Sequence, residues 1–121
     1  MSTVSVRYIV DDVDAAIDFY SRQLGFHEDM HPAPTFAMLS RGDLRLVLTA
    51  PGGGPGGGQA MPDGTIPAPG GWNRFQLEVD DLETAERRFG RKQVEVVQPS
   101  NGQFMMIADP DGLMIEVWQA E

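Results

Sequence analysis

The chain has 121 residues, no cysteine and a formal charge of −9, with a pI near 4.5. One domain of this length buries a working core without covalent staples, and the lack of cysteine excludes disulfides and thiolate-held metals, which suits a cytoplasmic protein. The acidic balance argues against nucleic-acid and membrane partners, no stretch approaches the roughly 18 apolar residues of a membrane span, and "MSTVSVRYIV" lacks a leader pattern, so a soluble, unprocessed chain is expected.

Residues 4–10 alternate with period two, Val4, Val6, Tyr8 and Val10 on one face and Ser5, Arg7 and Ile9 on the other, which predicts a strand. Val13, Ala16, Ile17, Tyr20 and Leu24 then recur at helical spacing, with Asp11 or Asp12 as N-cap and Gly25 as the stop. Short strands are predicted over about 26–31, 34–40 and 43–49, punctuated by Pro32, Pro34 and Gly42, the last setting Leu44, Leu46 and Leu48 against Asp43, Arg45 and Val47. Residues 51–71, "PGGGPGGGQAMPDGTIPAPGG", hold much of the chain's glycine and proline and read as a linker or a flap over a site. No lysine followed by serine or threonine opens a helix there, so a phosphate-cradling loop does not fit.

After it the order repeats. Phe75, Leu77 and Val79 alternate with Arg74, Gln76 and Glu78; a helix is predicted over about 82–90, strands over about 92–98 and 103–108, and a last strand in which Leu113, Ile115 and Val117 alternate with Met114, Glu116 and Trp118. The offset that carries Val10 onto Val79 also carries Asp11 onto Asp80, Asp12 onto Asp81, Ala16 onto Ala85 and Leu44 onto Leu113. The chain is read as a duplicated βαβββ unit, unit one over 1–50 and unit two over 72–121, joined by the linker 51–71 within a single domain spanning 1–121. Each helix is expected to cover the apolar face of its own sheet, with Phe19, Tyr20, Phe26 and Phe89 in the core. That leaves Ser5, Arg7, Ile9, Arg45, Val47, Arg74, Gln76, Glu78, Met114, Glu116 and Trp118 on the opposite faces.

"FYSRQLGF" at the end of the first helix and "DPDGLMIEVWQ" at the close of the second unit, in this order and over nearly the whole chain, resemble the vicinal oxygen chelate superfamily of glyoxalases, bleomycin-resistance proteins and extradiol dioxygenases. The resemblance implies an α+β fold of two tandem βαβββ units whose mixed or antiparallel sheets curve into a cup, and a homodimer. In the metal-dependent members it implies a divalent ion in that cup, held by histidines of the first strands and glutamates of the last. The corresponding positions here are Ser5, Val47, Arg74 and Glu116, and only Glu116 is a competent ligand. No metal and no cofactor is therefore expected, and Arg74 is expected to pair with Glu116 so that a guanidinium takes the ion's seat.

"HEDMH", His27 to His31, also matches the zinc-protease pattern H-E-x-x-H, which requires a helix to bring both imidazoles to one face. Between Gly25 and Pro32 a strand is predicted instead, and four residues at about 3.3 Å each would hold the rings roughly 13 Å apart.

Ser5, Arg7, Arg45, Arg74, Gln76, Glu78, Met114, Glu116 and Trp118 are the candidate ligand-binding residues. Arginine grips carboxylates and phosphates through paired hydrogen bonds, while tryptophan and methionine offer flat or adaptable apolar surface. The first reading is a metal-independent binder of a small organic ligand, anionic or aromatic, of the bleomycin-resistance type. The second is an enzyme, a glyoxalase-like lyase or isomerase or a dioxygenase relative, using a metal site outside these four positions or working without metal through Glu116 as base and the arginines as oxyanion partners. The third is a domain whose cup holds only water and whose role is dimerisation; Trp72 and Trp118 have a plain reading as core or dimer-contact residues.

Overall fold

The computed structural model describes residues 4–52, 58–70 and 74–119, which excludes Trp72. Its order is β1 Val4–Ile9, α1 Val13–Leu24, β2 His27–Ala33, β3 Phe36–Arg41 and β4 Leu44–Thr49, then β5 Phe75–Val79, α2 Leu82–Arg91, β6 Glu95–Gln98, β7 Phe104–Ala108 and β8 Met114–Gln119. The chain divides into two compact units, Met1–Gly70 and Gly71–Glu121. Each holds one four-stranded sheet, ordered β1-β4-β3-β2 in the first unit and β5-β8-β7-β6 in the second. The outer pair β1/β4, like β5/β8, is parallel and the other pairs are antiparallel, so both sheets are mixed. This is the α+β fold of two βαβββ units that the duplicated pattern predicts.

In the first unit, Asp12 caps α1 by accepting the Ala15 amide at 3.1 Å, and Gly25 ends the helix at φ 73, a left-handed conformation that glycine adopts without steric cost. The buried stripe Val13, Ala16, Tyr20 and Leu24 packs chiefly on β2, β3 and β4, against Ala37, Leu39, Leu46 and Leu48. Tyr20 sits edge-on to both Phe19 and Phe26, with ring centroids 5.1 and 5.5 Å away, although Phe19 itself is only half-buried. Because the helix lies over the other three strands, the start of β1 is bare: Val4 and Val6, on the predicted covered face, are 62% and 38% exposed. Pro32 falls within β2, an edge strand with two register shifts, where a missing backbone donor disrupts no interior ladder. Past β4, residues 61–65 close a local turn, Met61 donating to the Thr65 carbonyl and Thr65 to the Asp63 carboxylate.

In the second unit, Leu82, Ala85 and Phe89 of α2 face β6, β7 and β8, where Met105, Ile107, Ile115 and Val117 are fully buried. Asp81 stands at the N-cap position but receives a hydrogen bond from the Thr84 hydroxyl, and the first free helical amide, that of Leu82, is satisfied instead by Gln119 Oε1 at 2.6 Å. β6 starts at Glu95, later than periodicity predicts. The chain leaves α2 through Gln93 in a left-handed conformation, φ 60, and the Val94 amide bonds back to Phe89, so residues 92–94 serve as the helix exit. Asp109, nearly buried, binds the amides of Asp111 and Leu113 and shapes the "DPDG" turn into β8. Among the described residues no helix is long and apolar enough to cross a membrane.

Candidate functional site

The uncovered face of each sheet follows from strand parity. In the second unit, cross-strand register sets Gln76 beside Glu116, Glu78 beside Trp118, Trp118 beside Phe104 and Glu116 beside Met106. A cavity of about 550 Å³ opens on this face, lined by Gln76, Gln103, Phe104, Glu116, Trp118 and Gln119. Phe104 and Trp118 are direct neighbours on β7 and β8 and form an aromatic wall; three glutamine amides and one carboxylate supply its polar groups. Such a balance, mostly apolar wall with a few directional polar atoms, suits a small organic molecule.

Glu116 is held by two neighbours. Its Oε1 accepts from Gln76 Nε2 at 2.8 Å, and its Oε2 lies 3.7 Å from Arg74 Nη1, with the two charged side chains 24% and 40% exposed. The Arg74 contact is an ion pair made by one nitrogen, too long for a hydrogen bond, and the shorter contact comes from Gln76. Met114 and Glu78 share the face without lining the cavity.

The first unit carries a different arrangement. Ser5 and Arg7 lie exposed on edge strand β1, and Arg7 Nη1 donates to the buried Thr49 hydroxyl at 2.9 Å. Arg45, opposite Ser5 and Ser40 in the ladder, lines a second cavity of about 450 Å³ with Asp29, Met30, Met38, Ser40 and Gly42. Val47 is buried in the same strand. The nine candidates are thus sorted: Gln76, Glu116 and Trp118 meet in one cavity with Arg74 beside them, Arg45 belongs to another, and Ser5, Arg7, Glu78 and Met114 line neither.

Sequence reasoning did not single out Gln103, Phe104 and Gln119 in the second unit, nor Asp29, Met30, Met38 and Ser40 in the first. β7 reads "FMMIA", apolar throughout, so periodicity did not mark Phe104 as facing away from the core; only its pairing with Trp118 does. Gln103 and Asp29 sit at a strand entrance and a bulge, where alternation is broken.

The four positions aligned with metal ligands offer one carboxylate, a serine hydroxyl, an apolar valine and an arginine. The guanidinium, 3.7 Å from that carboxylate, opposes a second cation there, so the donor set does not fit a divalent ion. No group of three or more histidine, cysteine, aspartate or glutamate side chains is placed to hold a metal among the described residues. His27 and His31 point to different partners, Asp29 at 3.8 Å and Asp14 of α1 at 3.6 Å, so β2 separates the two imidazoles as a strand must.

The sequence profile of the Glyoxalase/Bleomycin resistance protein/Dioxygenase superfamily matches residues 3–117. No curated protein sequence matches the chain. Among solved structures it is similar to TnmS3, an antibiotic binding protein from Streptomyces sp. CB03234, at 25% identity, covering 100% of this chain and 97% of that one with a TM-score of 0.74. It also resembles in fold lactoylglutathione lyase from Agrobacterium tumefaciens, at 22% identity, 98% and 93% coverage and a TM-score of 0.74. A superfamily member from Sphaerobacter thermophilus DSM 20745 aligns at 23% identity, 99% and 98% coverage and a TM-score of 0.77.

Proposed function

We propose, from the premise that this chain belongs to the Glyoxalase/Bleomycin resistance protein/Dioxygenase superfamily, that it is a metal-independent binding protein for a small organic molecule with an aromatic part. The observation that carries the reading is the Arg74 guanidinium 3.7 Å from Glu116: a fixed positive charge beside the sole competent ligand among the four aligned positions. Phe104 and Trp118 then offer a ring surface, and Gln76, Gln103 and Gln119 offer amides that donate and accept without adding charge. The likeness to an antibiotic binding protein supports a sequestering role of the bleomycin-resistance type. The same reading takes the chain as a cytoplasmic homodimer, in keeping with its lack of cysteine and with the exposed Val4 and Val6 on an edge strand.

Two measurements on one preparation test it. Protein purified without chelator is expected to carry no stoichiometric Mn, Fe, Ni or Zn. A thermal-shift screen of planar aromatic antibiotics against small non-aromatic carboxylates is expected to raise the midpoint only for the former, because a ligand that prefers the native state stabilises it by about 2.7 kcal/mol at 100 times its Kd. Phe104→Ala and Trp118→Ala should abolish that shift. Stoichiometric metal lost on Glu116→Gln would overturn the reading in favour of a glyoxalase-like lyase, isomerase or dioxygenase.

A further inference from the structure

The second cavity, in the first unit, has a chemistry of its own. Arg45 reaches it from β4, and its Nε is buried without a hydrogen-bond partner. Asp29 reaches the same cavity from the bulged part of β2, where Oδ1 accepts the Ser40 hydroxyl at 2.9 Å and lies 3.8 Å from His27 Nε2. Arg45 and Asp29 therefore line one cavity, yet among the described residues no ion pair joins them. Met30 and Met38, cross-strand neighbours, line the same cavity and supply adaptable apolar surface, and Ser40 stands between Arg45 and Asp29.

The Nε, buried without an acceptor, ties the guanidinium to no partner, and the part of Arg45 that lines the cavity is left to meet an anion there. Had Asp29 been that acceptor, the two charges would have closed on each other. Ser40 orients the Asp29 carboxylate by its Oδ1 instead, which leaves a positive and a negative group apart in a cavity that Met30 and Met38 also line. We propose that this cavity is a site for a small zwitterion with an apolar side chain, such as a free α-amino acid. Its carboxylate takes the Arg45 guanidinium, its ammonium takes Asp29, and its side chain lies on Met30 and Met38. The volume of about 450 Å³ falls in the lower part of the range for small-molecule sites. No residue of this cavity lines the aromatic one, so occupancy of either can be tested without the other.

The probes are L-leucine, leucinamide, which lacks the carboxylate, and N-acetyl-leucine, which lacks the ammonium. Each is titrated into the full-length protein while the Arg45 Nε–H resonance is followed by NMR, assigned by its loss in Arg45→Lys. L-leucine should move that resonance saturably, and each analogue should bind about tenfold more weakly or worse. Asp29→Asn should reduce L-leucine to the level of N-acetyl-leucine while leaving N-acetyl-leucine unchanged. Equal binding of L-leucine and N-acetyl-leucine would overturn the zwitterion assignment. So would a resonance that no probe moves, which would mean that Arg45 satisfies itself within the protein.

Discussion

Alanine substitution of Arg74, Gln76 and Glu116, singly and in the two pairs that include Glu116, asks which neighbour holds the carboxylate. At 3.7 Å the attraction between two unit charges is about 1 kcal/mol in bulk water. Both side chains keep substantial solvent contact, so the Arg74–Glu116 coupling from a double-mutant cycle should be about 0.5 kcal/mol, typical of an exposed pair. The Gln76 bond at 2.8 Å is a hydrogen bond to a charged acceptor, and its coupling should be larger, about 1.5 kcal/mol. Urea unfolding of the six proteins, wild type included, gives both couplings, and repeating it at high salt should erode the Arg74 value while sparing the Gln76 one. An Arg74 coupling above about 2 kcal/mol and indifferent to salt would refute this reasoning, because it requires a dry, two-pronged pair. A Gln76 coupling near zero would refute it equally. On the metal-independent reading proposed above, an ion pair that contributes so little to stability matters for the second cation it keeps out.

Two glycines should respond with opposite sign. Gly25→Ala, at φ 73 with open space around it, should cost about 1 kcal/mol of backbone strain, whereas Gly90→Ala, inside α2 and equally unobstructed, should stabilise by about 0.5–1 kcal/mol; equal signs in urea unfolding would sink the assignment of the helix ends. The Thr65 backbone amide, with its hydroxyl second, holds the Asp63 carboxyl below the usual aspartate range. A lowered folded pKa stabilises above the unfolded pKa and is lost as pH falls through the folded value. NMR titration should therefore find the Asp63 midpoint depressed and restored towards normal in Thr65→Pro; a midpoint unchanged by that substitution would mean the turn at 61–65 does not persist.

The fold was legible because both units state it in local terms. Period-two runs and helical stripes preceded by aspartate have a physical cause within a few residues and recur in both units, whereas the glycine stop follows α1 alone. The sites were less legible, since they depend on register between strands far apart in the chain. Glu116 and Arg74 share parity, which sequence shows, but that Gln76 makes the shorter contact follows from the parallel pairing of β5 with β8. Likewise the three arginines look equivalent as text. In the structure Arg7 bonds Thr49, Arg74 meets Glu116, and the Arg45 Nε is buried without an acceptor.

Gln119 lines the aromatic cavity and, through Oε1, closes the first amide of α2 at 2.6 Å. One residue thus serves both a pocket rim and a helix origin, with its side-chain oxygen engaged at the helix. A guest that recruits that oxygen competes with the Leu82 amide for it, and the loosened N–H would exchange its hydrogen with solvent sooner. Deuterium uptake at Leu82 becomes a reporter of occupancy, readable without labelling the guest or touching the cavity.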